Sequence, residues 1–393
     1  MPNNSDDTGL GLVSIGNGRN PYLPFDGANI IAAAGLGSAG GLENSNLDFD
    51  SFISQFVNGG EGARYFSELT SSTTGTTVTQ ASFNSLSKAE QNRIALEMFY
   101  LVLRDAGRDH NLAGSSGFGT YAAATTAIST LFPGTYAGDI SLTAREIKTK
   151  SGGDISIFAP GGKLTVGIDA NGTQPLDQGI LTEHGGSINI FTKGNVDLGT
   201  SRVFTLRGGD IMMFSSEGNI AAGASSKTVQ SAPPTRVLID PQSGDVKVDI
   251  AGLATGGCIG VLATVAGVPP GNVDLIAPLG VVDAGDAGIR ATGNLTIAAT
   301  AVLNASNIAV GGASTGTPAA VDVSAPNVGG ITGAQNTAGQ GANTASEMAK
   351  QARPPEQPPQ ESPSIITVEV LGYGGSEGED EETRRKRRQP PAL

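Results

Sequence analysis

The sequence predicts a mainly β fold: a right-handed parallel β-helix (β-solenoid), with a small helical subdomain inserted N-terminally and a disordered C-terminal tail. Two observations predict it. A glycine-led strand motif recurs at spacings that suit one coil of a solenoid. The 393 residues include 57 Gly and no Trp, and only 5% are aromatic. A chain with so few large side chains must bury its apolar surface in many short rungs, as stacked repeats do.

The first 46 residues form a Gly- and Asn-rich stretch, expected to be extended segments and turns. The first seven, Met1 to Asp7, contain neither the basic nor the apolar region of a signal peptide. We therefore expect either a fragment or a chain exported by an upstream module. No uninterrupted apolar run reaches the roughly 18 residues that a membrane-spanning helix requires.

Residues 47–132 switch to helical periodicity and predict the small helical subdomain. Ser87 and Glu90 fit a capping box that opens a helix, and Gly107 stands where its C-terminal cap is expected. A further helix is predicted from Tyr121 to Phe132, where a Pro-Gly pair follows. The apolar side chains expected on the buried helix faces are Phe49, Phe52, Ile53, Phe56, Val57, Ile94, Met98, Leu101 and Val102.

Residues 133–318 carry the repeat: Gly, then Asp, Asn or Ser, then alternating apolar residues. Glycine tolerates the backbone of a sharp corner, and the alternation gives each strand one buried face. Copies at 186 and 209 are 23 residues apart, and those at 218, 244, 271 and 293 follow at steps of 26, 27 and 22. Stacked coils explain such periods. The motif starts are Gly138, Gly153, Gly186, Gly194, Gly209, Gly218, Gly244, Gly271 and Gly293.

An antiparallel sandwich is the alternative fold. It predicts two-residue hairpins of the Asn-Gly type between consecutive strands, and Asn171-Gly172 is the only such pair in the repeat region. The solenoid is therefore favoured.

The last part, residues 319–393, is Pro/Gly-rich and then charged, and is too polar and interrupted to bury a core. It contains one isolated strand candidate, residues 365–371, from Ile365 to Leu371, which could pair with an exposed sheet edge.

Charge and residue counts exclude several function classes. A formal net charge of −13 disfavours a nucleic-acid partner, since phosphate binding needs a basic face. The two histidines, His110 and His184, have no Cys or His at metal-ligand spacing, so each is expected to be a surface or turn residue. The lone Cys258 is expected to be a small buried apolar side chain.

Three further patterns are expected to have structural roles. Gly35 to Gly40 matches a dinucleotide fingerprint but lacks the helix that must follow it. Asp105, Asp109 and Asn111 resemble the start of a calcium loop, and helix capping and solvation are expected to account for them. Asp283 and Asp286 could be the paired carboxylates of a glycosidase, but are expected to shape a Gly-rich turn.

A fourth pattern, Gly312 to Gly316, matches a nucleophile elbow but lies in a Gly/Thr/Pro stretch rather than at a strand-to-helix turn. The sequence therefore names no catalytic residue, no cofactor-binding residue and no metal ligand, and it predicts neither a cofactor nor a small-molecule substrate.

Several strings, in order, resemble the C-terminal region of large filamentous-haemagglutinin-like outer-membrane proteins of Gram-negative bacteria, over roughly residues 45–320. They are Phe132-Pro133, Gly138-Asp139-Ile140-Ser141-Leu142, Ala159-Pro160-Gly161-Gly162 with Val166-Gly167, Ser201-Arg202-Val203-Phe204-Thr205-Leu206, Ser231-Ala232-Pro233-Pro234, Val273-Asp274-Leu275-Ile276-Ala277-Pro278 and Asp283-Ala284-Gly285-Asp286-Ala287-Gly288-Ile289.

The resemblance implies a non-enzymatic surface adhesin, exported by two-partner secretion through an outer-membrane barrel and located outside the cell. It also implies a host-cell protein or glycan receptor. Two alternatives stay open: a C-terminal capping or secretion module without its own binding activity, and a carbohydrate-active β-helix enzyme. An enzyme should gather acids and bases on equivalent coils, whereas an adhesive rod should scatter them.

Overall fold

The chain winds into stacked coils, and each strand pairs in parallel with the equivalent strand of the next coil. The computed structural model describes residues 11–17, 20, 22–23, 27–37, 42, 45–59, 61–69, 76–143, 145–167, 179–223, 236–239, 246–249, 258–262 and 268–318; for residues 61, 236–239 and 246–249 it describes the backbone alone. Apart from residues 236–239 and 246–249, the described residues form the coils, their corners or the helical insertion.

The strands are β1 Leu12–Ser14, β2 Ile30–Ala33, β3 Ile140–Leu142, β4 Glu146–Thr149, β5 Ile155–Ala159, β6 Leu164–Val166, β7 Gly179–Thr182, β8 Ile188–Thr192, β9 Val196–Asp197, β10 Arg202–Thr205, β11 Ile211–Ser215, β12 Ile220–Ala221, β13 Arg236–Ile239, β14 Val246–Asp249, β15 Cys258–Val261, β16 Val273–Asp283, β17 Ile289–Ala291, β18 Leu295–Leu303, β19 Ile308–Val310 and β20 Ser314–Thr315. The helices are α1 Phe49–Phe52, α2 Gln80–Phe83, α3 Lys88–Asn111 and α4 Ala122–Leu131, with a π-helix at Ile53–Val57 and 3₁₀ helices at Glu61–Glu68 and Ala305–Asn307.

Each coil has three sides. Side one is a seven-stranded parallel sheet in the order β1-β4-β7-β10-β15-β17-β19. Side two runs β2-β5-β8-β11 and on through the first parts of β16 and β18 to β20. Side three contains β3, β6, β9, β12 and the last parts of β16 and β18, which turn the corner. The prediction of a mainly parallel, solenoid-like β fold is confirmed.

The interior is a column of aliphatic side chains, one above another. On side two, Ile155, Ile188, Ile211, Val273 and Leu295 occupy the same register position, and each is at most 1% exposed. Burying each such side chain contributes about 1.5–3 kcal/mol, so the column stabilises the stack coil by coil.

The recurring motif lies at the corners of the coils and joins each coil to the next. Its polar residue accepts a hydrogen bond from a backbone N–H of the next coil. Asp154 Oδ1 accepts from Ser187 N at 2.7 Å, Ser187 Oγ from Asp210 N at 3.1 Å, and Asp210 Oδ1 from Asn272 N at 2.7 Å. Asn272 Oδ1 continues the ladder to Asn294 N at 2.9 Å. These side chains satisfy backbone groups that the corner would otherwise leave unpaired.

The motif glycine is needed for two reasons, shown by Gly186. Its φ is +88°, a conformation that other residues rarely adopt. A Cβ on Gly186 would lie 2.1 Å from the carbonyl oxygen of Gly153 in the preceding coil. The coils therefore approach one another too closely for any side chain at this corner.

Gly244, where a copy of the motif is predicted, lies outside the described residues, but the strand after it does not join the coils. The strand that follows it, β14, pairs antiparallel with β13 in a separate two-stranded sheet. The stack passes directly from Asp210 to Asn272, so the predicted steps of 26 and 27 residues are wrong. A glycine, a polar residue and alternating apolar residues suit any short strand, whichever partner it pairs with.

The helical elements between residues 49 and 131 leave the stack between β2 and β3. Ser87 is the N-cap of α3, since its side chain accepts from Glu90 N, as predicted. The predicted end at Gly107 is wrong, because α3 continues to Asn111. The predicted Tyr121–Phe132 helix is confirmed as α4.

Two further predictions concern the C-terminal tail and membrane-spanning helices. The predicted tail, residues 319–393 with the strand candidate 365–371, lies outside the described residues. Within the described residues, no helix has the length and apolar character needed to cross a bilayer.

Candidate interaction site

The helical unit packs on the outer face of side two, along a row of apolar side chains. Phe158, Phe191 and Phe214 stand in register on neighbouring coils and are at most 1% exposed. Phe191 lies 5.4 Å from Phe99 of α3, edge to face, and 5.3 Å from Phe132 beyond α4, measured between ring centroids. Aromatic pairs at such distances stabilise beyond their buried area. The row therefore fixes the helical unit to the stack.

Polar contacts set the position of α3 along the row. Arg108 donates two hydrogen bonds of 2.8 Å to the carboxylate of Asp274, which is 1% exposed. Tyr100 Oη donates to the carbonyl oxygen of Ile157 at 3.1 Å, and Asn111 Nδ2 donates to that of Ile297 at 2.8 Å. Burial raises the pKa of Asp274, and the Arg108 guanidinium opposes that rise.

Gly107 has a packing role rather than the predicted capping role. A Cβ on Gly107 would lie 2.3 Å from Cγ1 of Ile276 on β16. The glycine therefore lets the helix backbone approach the sheet closely, which explains why the helix passes through it.

A cavity of about 360 Å³ is lined entirely by residues of the helical unit. Its walls come from the Ile53–Val57 π-helix, the Glu61–Glu68 helix, the second half of α3, the 112–121 loop and the start of α4. The wall combines buried apolar side chains with five polar ones, as small-molecule sites do. The lining residues are Phe56, Arg64, Tyr65, Val102, Ala106, Asp109, Ser116, Gly117, Thr120, Ala122 and Ala123.

A charge network organises the mouth of this cavity. Arg64 Nη2 donates to Tyr65 Oη and lies 3.5 Å from Asp105 Oδ2, while Arg64 Nη1 is 3.9 Å from Asp109 Oδ2. Arg104 pairs with Asp105 at 2.8 Å and with the carboxylate of Glu68. Burial, followed by the charge of Asp105, raises the pKa of Tyr65 to about 12, so its phenol is neutral at physiological pH.

Successive turns hold the 112–121 loop against the end of α3. Gly119 N donates to the carbonyl oxygen of His110 at 3.0 Å, and the His110 ring stacks on Tyr121 with 4.2 Å between centroids. Gly117 lies so close that a Cβ there would be 2.8 Å from Cβ of Asp109. Leu112 and Phe118 of this loop are 59% and 58% exposed. The loop thus forms a defined rim that carries two exposed apolar side chains.

Some residues singled out in the sequence do have the expected structural roles. Asp283 Oδ1 accepts from Gly285 N at 2.8 Å and from Asn304 Nδ2 at 2.7 Å, so it shapes a turn. His184, in the turn after β7, uses Nδ1 to bond the carbonyl oxygen of Lys150 at 2.8 Å. Cys258 is 4% exposed, and burial raises the pKa of its thiol to about 12.

The residues that resemble the start of a calcium loop have other structural roles than the expected ones. Asp105 and Asp109 were expected to be solvated, but they lie in the arginine network, and Asn111 attaches α3 to the sheet. Across the part of the chain that the structure describes, no group of three or more His, Cys, Asp or Glu side chains could hold a metal ion.

The two glycine-rich patterns take part in the stack. Ser314, the serine of the Gly312–Gly316 pattern, lies on strand β20 rather than at a strand-to-helix turn. A Cβ on Gly35 would lie 2.5 Å from the carbonyl oxygen of Ala137. Residues 38–40, the second half of the dinucleotide pattern, lie outside the described residues.

Sequence reasoning missed the cavity and the Arg108–Asp274 pair. The cavity residues come from five separate segments with no common spacing. Asp274 did give a signal: it stands between Val273 and Leu275 in an apolar strand, where a lone carboxylate needs a buried partner.

Comparison with known proteins bears on the second half of the stack. Residues 208–319 match the family model described as "Filamentous haemagglutinin family outer membrane protein". No curated protein and no solved structure matches the chain. The matched residues cover the coils from β11 to β20, while the helical unit and the first coils lie outside the match. The family resemblance read from the sequence is confirmed over residues 208–319, which are similar to this family of outer membrane proteins.

Proposed function

We propose that the chain is a structural and interaction protein: the C-terminal part of a large filamentous-haemagglutinin-like adhesin, exported by two-partner secretion and exposed at the cell surface. The observation that carries this proposal is the family match over residues 208–319, together with the stack of parallel coils that the described residues form. In this proposal the stack is a rigid support, the full-length protein passes through an outer-membrane secretion barrel, and the receptor is a host-cell protein or glycan.

Right-handed winding of the coils is part of the proposal. Crossover connections between parallel strands of one sheet are right-handed in nearly all proteins, because right-twisted strands favour that path. Each coil here makes such connections between parallel strands.

The positions of the charged side chains favour this function over a carbohydrate-active enzyme. Glycoside hydrolysis needs two carboxylates facing one groove, about 5–9.5 Å apart. The strand carboxylates Glu146 and Asp274 are instead buried beside Lys148, at 3.0 Å, and Arg108, at 2.8 Å. Asp154 and Asp210 serve the corner ladder. These acids support the fold.

A capping or folding role of the helical unit is the second candidate, and one observation favours it. Tyr100 and Asn111 of α3 bond carbonyl oxygens of β5 and β18, strands that are far apart in the stack. The helix therefore braces several coils at once. This role is compatible with adhesion by the same chain.

Surface exposure on intact producing cells tests the main proposal. Antibodies against the stack are applied before and after mild protease treatment, with a cytoplasmic protein as the control. We expect labelling that protease removes, while the control stays unlabelled. Labelling only after lysis would show that the chain is not exported and would overturn the adhesin proposal.

A further inference from the structure

We propose that the last coil of the stack is a self-association surface, where two copies of this chain meet end to end. This terminal surface consists of the last part of β18, β19 and β20, residues 301–315. Among the described residues, β19 pairs only with β17 and β20 only with β18, so each has one edge without a partner strand. An unpaired strand edge is where a strand of another chain can add. The inference concerns the purified chain and does not depend on its export.

The aliphatic column inside the stack is open at this end. Ile289 is fully buried, but Ile308, at the same register position on the last strand of side one, is only partly buried. On side three, Val282 is fully buried, whereas its register partner Val302 is partly buried. Next to Val302, the side chain of Leu303 is 46% exposed. Covering these side chains with another apolar surface removes them from water and stabilises the contact.

The terminal surface is uncharged, which suits a second copy of the same acidic chain. The whole chain has a net charge of −13 and 16% charged residues, yet residues 291–318 contain no Asp, Glu, Lys or Arg. Exposed sheet edges usually carry charged side chains, above all Lys, that prevent pairing with another strand. A two-fold interface places a surface against its own copy, so every charge there would face a like charge. The last coil has neither the protection nor the repulsion.

The corner ladder ends at this coil, and that selects the way in which two copies meet. Asn294 Oδ1 accepts from Ala313 N at 2.9 Å, and Ala313, in the ladder position of the last coil, has no side-chain acceptor. At the other end of the stack, Asn29 Oδ1 accepts from Asp154 N at 2.9 Å. The first coil of a second copy, stacked head to tail, would find no corner acceptor at Ala313. Two β19 strands can instead pair antiparallel about a two-fold axis, with Ala309, the central residue of each, side by side.

The test is sedimentation equilibrium of the purified full chain between about 1 and 100 µM, a range that covers weak self-association. We expect a dimer of twice the 39.5 kDa chain mass. Ala309→Lys places like charges beside each other at the two-fold axis, from a position that is exposed in the single chain. Ala33→Lys, exposed on the edge strand β2 at the opposite end of the stack, is the matched control. We expect dimerisation to weaken at least about tenfold in Ala309→Lys and to stay unchanged in Ala33→Lys.

A charge-swap pair separates lost contact from lost folding. Ala309→Glu alone should also weaken dimerisation, but an equimolar mixture of Ala309→Lys and Ala309→Glu should form dimers again, because Lys then faces Glu. A misfolded variant would not be restored by mixing. The proposal is overturned by a monomer at every concentration, by a dimer that Ala309→Lys leaves unchanged, or by a mixture that associates no better than either variant. Open-ended oligomers that Ala33→Lys dissolves would show head-to-tail stacking and would also overturn it.

Discussion

Replacing Arg108 with alanine should separate the helical unit from its buried anchor. Asp274 is 1% exposed and receives two hydrogen bonds of 2.8 Å from Arg108. Without the guanidinium, the carboxylate stays buried without its cation. Removing one partner of a buried ion pair costs about 3–5 kcal/mol, and since the Arg108 side chain is 36% exposed we expect about 2–3 kcal/mol.

Thermal unfolding followed by circular dichroism measures this loss, with an expected fall in melting temperature of roughly 3–5 °C for a folded unit of this size. Lys88→Ala is the matched control on the same helix. Its ion pair with Asp50 joins side chains that are 53% and 84% exposed, so it should change stability by less than about 0.5 kcal/mol. Equal stability losses in the two variants would refute the anchoring role of Arg108.

The pH dependence gives an independent check on Asp274. In Arg108→Ala the folded-state pKa of Asp274 rises further above its ordinary value of 3.8, while its unfolded value stays there. Between these two values the folded state binds the extra proton, so the free energy of unfolding falls as pH rises through that window. The loss of unfolding free energy in Arg108→Ala, relative to wild type, should therefore be larger at pH 7 than at pH 4. A loss that does not depend on pH would mean that missing packing, and not the unpaired charge, causes it.

Three further predictions concern separate parts of the fold. Gly185 and Gly186 have φ of +73° and +88°, but only a Cβ on Gly186 meets a neighbouring backbone oxygen, at 2.1 Å. In urea unfolding, Gly186→Ala should therefore lose about 1–3 kcal/mol more stability than Gly185→Ala. Equal losses in the two variants would contradict close stacking of the coils. Burial, together with nearby carboxylates, raises the folded-state pKa of Glu97 from 4.5 to about 7, so wild-type stability should fall as pH rises from 4.5 to 7. Glu97→Gln should flatten that fall, and an unchanged pH profile would exclude the half-buried Glu97 carboxylate, which pairs with Arg93, as its source. Phe191→Ala should cost about 3–5 kcal/mol, whereas the exposed Phe118→Ala should cost less than about 0.5 kcal/mol by the same measurement.

The coils could be predicted from the sequence because each corner needs the same local chemistry. The Gly-Asp and Gly-Ser pairs before β5 and β8 supply both the positive φ and the side-chain acceptor, and both are visible in the printed residues. The copy at Gly244 has the same local pattern but a different partner strand. Local pattern predicts that a strand forms, whereas the choice of partner depends on residues far away in the chain.

The contacts that attach α3 to the sheet could not be predicted, because they too join residues that are far apart in the chain. Arg108 and Asp274 are 166 positions apart, and nothing near either residue indicates the other. Gly107 was expected to end its helix because glycine usually does so. Its actual neighbour, Ile276, is brought there by packing of α3 on side two.

The corner ladder explains how a stack of coils can carry a helical unit without losing its order. Asp154 and Ser187 are 33 residues apart, and Asp210 and Asn272 are 62 apart, yet both hydrogen bonds measure 2.7 Å. Coil-to-coil geometry is therefore set at the corner and does not depend on how much chain lies between two corners. For the same reason, the helices can be inserted in the chain between β2 and β3 without changing the geometry of the coils. Asn111 of α3 donates a hydrogen bond to the carbonyl oxygen of Ile297 on β18. The parallel stack thus keeps its register on both sides of the inserted helical unit, where β2 pairs with β5 and β3 pairs with β6.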